Sequence, residues 1–147
     1  MTGHVCAPAA VNLAGDDMSR SGIIAYWLCT VYIAATSLLA GVLDLARAQP
    51  LWGELVRLGY PPHFGAVLGT WKVLGALALV APRRPLLKEW AYAGLFVDFS
   101  GAIVAHAAAG DGVTAFVGPL LSIAALVASW SLRPRDRRLV DAHAAEA

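Results

Sequence analysis

Residues 71–98 read WKVLGALALVAPRRPLLKEWAYAGLFVD. Two apolar runs are joined by the basic, proline-bracketed turn Pro82-Arg83-Arg84-Pro85, with Lys72 inside the first run and Asp98 inside the second. Counted from the ends of the turn at Ala81 and Lys88, Lys72 lies nine residues before it and Asp98 ten after it. At about 1.5 Å per helical residue, each charge stands roughly 14 Å from the turn, close to the middle of a hydrocarbon layer about 30 Å thick. The stretch therefore predicts an antiparallel helical hairpin in a membrane, with its turn at one surface and two opposite charges at one interior level. A charge at the bilayer centre costs at least about 2.5–3.5 kcal/mol on insertion scales. The expectation is that Lys72 and Asp98 pair, or share a small polar cavity.

Two further apolar stretches flank this hairpin. Residues 21–43 and 112–132 contain no charged residue, and about 20 apolar residues suffice to cross the hydrocarbon core. Over the whole chain 59% of residues are hydrophobic, 14% are charged and the mean hydropathy is +0.63. Soluble domains sit nearer 45–50% and about 25%, so lipid is the expected solvent. Open strands would leave backbone groups without partners there. The fold class is accordingly all-α: a four-transmembrane-helix bundle with helices at about 21–45, 63–82, 88–109 and 112–132. Residues 1–20 are expected to be a disordered tail, with Met18 as an alternative start, and residues 133–147 a basic cytoplasmic tail. A signal peptide fits the first span poorly, because its run outlasts a core of about 7–15 residues and Asp44 follows in place of a cleavage pattern.

Charge asymmetry sets the expected orientation. Arg20, the middle turn (Arg83, Arg84, Lys88) and the C-terminal run (Arg133, Arg135, Arg137, Arg138) place eight cations on one side, against Arg47 and Arg57 on the other. Positive charge is retained in the cytoplasm, so both termini are expected inside, in a bacterial cytoplasmic (inner) membrane. Trp27, Trp90, Tyr92 and Trp130 all fall near that inner boundary, where amphipathic rings prefer to lie. The outer connection holds Leu51, Leu55, Val56 and Leu58, the pattern of a short helix lying on the membrane, and Gly59-Tyr60-Pro61-Pro62 then turns the chain back.

Steps of three and four from Asp98 meet Ala91, Gly94, Gly101, Ala102 and Ala105, while Tyr92, Phe96, Phe99 and Ile103 lie opposite. The same steps from Lys72 meet Gly65, Leu68, Gly69, Gly75, Ala76 and Leu79. Small residues allow close helix approach in membranes, so each charge is expected on a packing face, with the bulky groups toward lipid. The first helix offers partners in one stripe: Tyr26, Thr30, Ala34, Ser37, Gly41 and Asp44. Three readings of Lys72 and Asp98 stand side by side. They are a structural pair that fixes helix register, they belong to a pocket that binds a small redox carrier or relays protons, or they pair with a partner subunit.

Asp44, His63, His106 and Asp111 form a candidate outer polar cluster. Their spacing lacks a tight ligand motif, and no metal site is expected. Glu89 reads as an acidic helix start. Cys6 and Cys29 lie far apart, which leaves a disulfide framework, a zinc site and a thiol-redox motif unsupported. No basic cluster interleaved with aromatics is present, so nucleic-acid binding is not indicated.

The residues Gly59-Tyr60-Pro61, Lys72, Glu89-Trp90-Ala91-Tyr92-Ala93-Gly94, Asp98, Gly101-Ala102, His106 and Gly110-Asp111 together resemble the DoxX-like membrane proteins, over roughly residues 22–132. That resemblance implies a four-helix membrane bundle and an association with quinone-linked redox systems. More distant four-helix relatives in animals are connected with receptor assembly or sterol chemistry. The chain carries no haem-ligand pair, flavin fingerprint or cysteine pair, so it has no sequence-visible route for electrons of its own. The expected role is a non-catalytic or accessory subunit near membrane redox and quinone chemistry, with a quinone the one cofactor class left open. The bilayer, a redox complex or a second copy of the chain are the expected partners. The alternatives are a small proton-coupled transporter and an assembly protein whose charge pair is purely structural.

Overall fold

The computed structural model describes residues 20–134 and 137. The expected N-terminal tail, apart from Arg20, and most of the expected basic tail lie outside the described residues. Among the described residues the regular elements are five helices: α1 (Arg20–Leu45), α2 (Leu51–Arg57), α3 (Pro62–Val80), α4 (Pro85–Ala108) and α5 (Thr114–Ser131). All but α2 are long and apolar enough to cross a membrane.

Proline chemistry sets several boundaries. Pro62 and Pro85 occupy the first helical positions of α3 and α4, where the missing N–H would have had no partner. Placing Pro85 at the helix start carries α4 a turn further back than the charge pattern suggests. Gly59 has φ +83°, a left-handed conformation that glycine adopts without steric cost, and it turns the chain between α2 and α3. Tyr60 then stacks on Phe64, with ring centroids 4.6 Å apart and planes 7° from parallel.

The four long helices form a square. α1 packs against α3 and α5, and α4 packs against the same two, so α1 and α4 stand on one diagonal. The tightest crossing joins α1 to α3. A Cβ built on Gly41 would stand 2.8 Å from the backbone oxygen of Gly69, and one on Gly69 would stand 2.7 Å from that of Gly41. The absence of a side chain is what permits this approach.

The square is filled at one end only. In the half nearest the termini, Ile33, Ala78, Leu79, Ala91, Tyr92, Leu95 and Leu126 make a continuous core. Polar groups there are mutually satisfied: the Thr30 and Ser129 hydroxyls lie 2.7 Å apart, and Tyr92 Oη lies 2.8 Å from Ser129 Oγ. Tyr92 thus faces the core, not lipid, because its hydroxyl has a partner inside. That rotation turns Gly94 and Gly101 off the packing seam. A Cβ at either position meets nothing within 4 Å. In α1 the buried stripe is Tyr26, Thr30, Ile33, Ser37, Gly41 and Asp44, with Ile33 in the place expected for Ala34.

Two cations read from the sequence as surface charges are buried in this half. Lys88 is 1% exposed, and its ammonium donates to the carbonyls of Ala78 (3.3 Å) and Leu79 at the end of α3. Carbonyls at a helix C-terminus lack helical donors and carry partial negative charge, which favours a cation there. Arg133 pairs with Glu89 at 2.7 Å and lies over the rings of Tyr92 and Trp130. Glu89 also accepts from Trp130 Nε1 at 3.1 Å. It sits in the second turn of α4, where it ties α4 to the end of α5 and does not serve as the helix start.

Candidate functional site

The other half of the square, toward α2, holds a cavity of about 660 Å³. It exists because small side chains face inward where the packed half has large ones: Ala40 on α1, Ala102 and Ala105 on α4, Gly118 on α5. Pro119 on α5 also lines it and cannot donate the helical hydrogen bond to the carbonyl of Ala115. Phe64 and Leu68 of α3 and Leu51 and Leu55 of α2 make most of the remaining wall apolar.

The floor of this cavity is charged. Lys72 Nζ donates to Asp44 Oδ2 at 3.1 Å and lies 3.8 Å from Asp98 Oδ2. The lysine therefore stands between two carboxylates, and the closer one comes from the end of α1. The Gly41–Gly69 crossing explains this. At the crossing the Lys72 Cβ lies 3.0 Å from where a Cβ on Gly41 would stand, and the Asp44 Cβ 3.1 Å from one on Gly69, so the close approach brings the two side chains together. Asp44 is almost wholly enclosed, its side chain 1% exposed, whereas those of Lys72 and Asp98 retain 14% and 15%. One ammonium faces two carboxyl groups, so the floor has more acceptors than its own lysine satisfies. Beside it, the buried Ser37 Oγ lines the same cavity and has no hydrogen-bond partner.

At the α2 end a second group of charges closes over the bundle. Arg57 donates to both oxygens of Asp111, at 2.9 and 2.6 Å, and from Nε to Glu54 at 3.0 Å. His106 Nδ1 lies 2.7 Å from Asp111 Oδ2 and 3.6 Å from Glu54 Oε1. Of the four residues expected in an outer cluster, only His106 and Asp111 meet here. Asp44 turns inward to Lys72, and His63 is exposed in the first turn of α3 and joins neither group. Glu54 and Arg57 take their places. They lie three residues apart on α2, a spacing that lets them pair on a helix face, but nothing local to the sequence points them at the α4–α5 turn. Glu54, His106 and Asp111 are close enough to share a metal ion, and the Arg57 guanidinium pairs with both acids there.

The α2 cluster makes a pH prediction. Hydrogen bonds from Arg57 and then His106 hold the Asp111 carboxyl down to about 2, and Arg57 lowers Glu54 as well. An unfolded aspartate titrates at about 3.9. Stability from a depressed carboxyl is complete above the unfolded value and is lost as pH falls through the folded one. Amide-exchange protection of α2 is expected to stay level down to about pH 4 and to fall as pH approaches about 2. A loss already complete well above about pH 4 would show that the Arg57–Asp111 pair is not what holds the closure.

Four membrane-length helices around a cavity with a charged floor define a multi-pass membrane protein of the helical-bundle class. The model of the DoxX-like family matches residues 22–129, which take in most of the four long helices and the whole cavity lining, and the chain belongs to that family. No curated protein and no solved structure matches it. The residues that carry the resemblance are spread over the whole bundle. Tyr60 and Gly101 line the cavity, Gly59 makes the turn, Pro61 caps α3, and Glu89 and Tyr92 hold the packed half. Trp90 is exposed.

Proposed function

We propose that this protein binds a polar-headed, lipid-soluble molecule of the quinone class and serves as a non-catalytic accessory subunit of a membrane redox system. The observation that carries this reading is the cavity itself. Its volume lies within the range of small-molecule sites, about 300–1,000 Å³, and such sites pair apolar walls with a few convergent polar groups. The residues fit the group. A quinone head presents carbonyl acceptors, and the unpartnered Ser37 hydroxyl and the Lys72 ammonium are donors. In its reduced form the head presents hydroxyl donors, which Asp44 and Asp98 can accept. A bound quinone would supply two-electron, two-proton redox chemistry. The chain's own groups hold and orient the head and exclude water. In this reading both termini lie in the cytoplasm of a bacterial inner membrane, the α2 end faces outward, and a redox partner subunit or a second copy completes the assembly.

The test is binding of decylubiquinone to the purified protein in lipid nanodiscs, wild type against Ser37→Ala. A lost hydrogen bond is worth about 0.5–1.5 kcal/mol, so affinity should fall about two- to tenfold. The ligand-free variant should become more stable, because an unpaired buried hydroxyl costs about 1–3 kcal/mol. Binding and stability moving in opposite directions is the signature. No saturable binding by the wild type would end the proposal.

A proton-coupled transporter is the second reading. It is favoured by the titratable groups Glu54 and His106 lining the same cavity as Asp44, Lys72 and Asp98. Proteoliposomes that carry no pH-dependent flux would dismiss it.

A further inference from the structure

The cavity has one thin wall. On the outside of the bundle, between the α2–α3 corner and α4, runs a groove of about 760 Å³. Leu58, Tyr60, Val97, Gly101 and Ala105 line both the groove and the central cavity. At Gly101 the wall has no side chain, and a Cβ there would meet nothing within 4 Å.

The groove follows α4 from Val97 to Ala109, a rise of about 18 Å. It runs from the level of the charged floor to the α2 end of the membrane span. Val97 and Val104, on its surface, are 68% and 67% exposed, which is where hydrocarbon tails lie in a spanning helix. The aqueous end of the cavity is built differently. There α2 lies across it with Leu51, Leu55 and Leu58, pinned by the Glu54–Arg57–Asp111–His106 group. Access is thus closed by ion pairs toward water and left open by a missing side chain toward lipid.

We infer that the ligand reaches the cavity sideways from the bilayer, passing between Tyr60 and Gly101, and that it carries a prenyl or alkyl tail which stays in the α4 groove while the head reaches Ser37 and Lys72. This rests on the binding reading above and adds the route and the tail. Polarity grades along the path as such a molecule requires: hydrocarbon-facing valines outside, glycine and alanine at the gap, hydroxyl and charges inside.

The experiment uses the full chain in nanodiscs and a benzoquinone carrying a ten-carbon chain with a terminal diazirine, photolysed with and without excess decylubiquinone. Competable labelling is expected on the peptide spanning residues 97–109. Gly101→Phe, which closes the gap, and Val104→Trp, which fills the groove from the lipid side, should each cut that labelling about tenfold, the effect of losing roughly 1.4 kcal/mol of binding. Gly94→Phe occupies open space two turns away on the same helix and should leave it intact. Competable labelling confined to other helices, or unchanged by Gly101→Phe and Val104→Trp in folded protein, overturns the route and leaves the cavity a binding site. Absence of competable labelling anywhere overturns the binding reading and the route together.

Discussion

Replacing Lys72 with methionine is expected to destabilise the bundle by about 3 kcal/mol, the low end of the 3–5 kcal/mol typical when one partner of a buried ion pair is removed. The low end applies because the Asp98 side chain keeps 15% of its surface exposed, so one of the two carboxylates left behind is not wholly enclosed. The size of the loss comes from those carboxylates. Asp44 and Asp98 would face each other across an apolar cavity with no cation between them, and like charges at that range repel strongly in low dielectric. The distances also rank the two partners. Asp44 is nearer than Asp98, at 3.1 against 3.8 Å, and more deeply enclosed. Lys72→Met should therefore be rescued in larger part by Asp44→Asn than by Asp98→Asn. Denaturant titrations of the micelle-solubilised variants, followed by tryptophan fluorescence, measure each coupling as a double-mutant cycle. Strict additivity of Lys72→Met with Asp44→Asn would mean that the contact contributes nothing.

The membrane spans are plain in the sequence because their signal is length and apolarity, and both survive without knowledge of packing. The short α2 is equally legible from its spaced leucines and the Gly-Tyr-Pro-Pro turn behind it. Which face of a helix looks inward is harder, and α4 shows why. Its small residues suggest a packing face through Gly94 and Gly101, yet the core takes Tyr92 and Leu95, because a serine on α5 satisfies the tyrosine hydroxyl. That partner is 37 residues away, and no local pattern announces it. Lys88 is hidden for a related reason. Beside a basic turn it reads as one more surface cation, and only the fold shows that the end of α3 needs its ammonium. The candidate site is a mixed case. Lys72 and Asp98 draw notice because each interrupts an apolar run. Asp44 reads both as a partner on the first helix's stripe and as a member of the outer cluster, and the structure puts it closest to the lysine. The division of the bundle into a packed half and a hollow half depends on how inward residues from four helices add up at each level, a sum that no single helix displays.

Gly69→Val is expected to be at least as damaging as Lys72→Met, with a loss of about 3 kcal/mol or more. Overpacking usually costs about 1–3 kcal/mol because neighbouring side chains can shift. Here the first atom met is backbone, the Gly41 carbonyl oxygen at 2.7 Å, followed by Leu45 Cγ at 2.9 Å and Asp44 Cβ at 3.1 Å. A backbone oxygen cannot move aside without moving α1. Separating α1 from α3 also draws Asp44 from Lys72, since the Asp44 Cβ packs against Gly69 and the Lys72 Cβ against Gly41. One substitution should thus remove the closest helix contact and the shortest ion pair at the cavity floor together. Gly94→Val supplies the comparison: the same added atoms, on a spanning helix, at a position with open space around the Cβ. Its effect is expected to stay within about 0.5 kcal/mol, the range of surface substitutions. Because crossing and ion pair fail as a unit, Lys72→Met should cost far less in the Gly69→Val background than alone. Equal stabilities for Gly69→Val and Gly94→Val would show that the α1–α3 approach is not what holds Asp44 against Lys72.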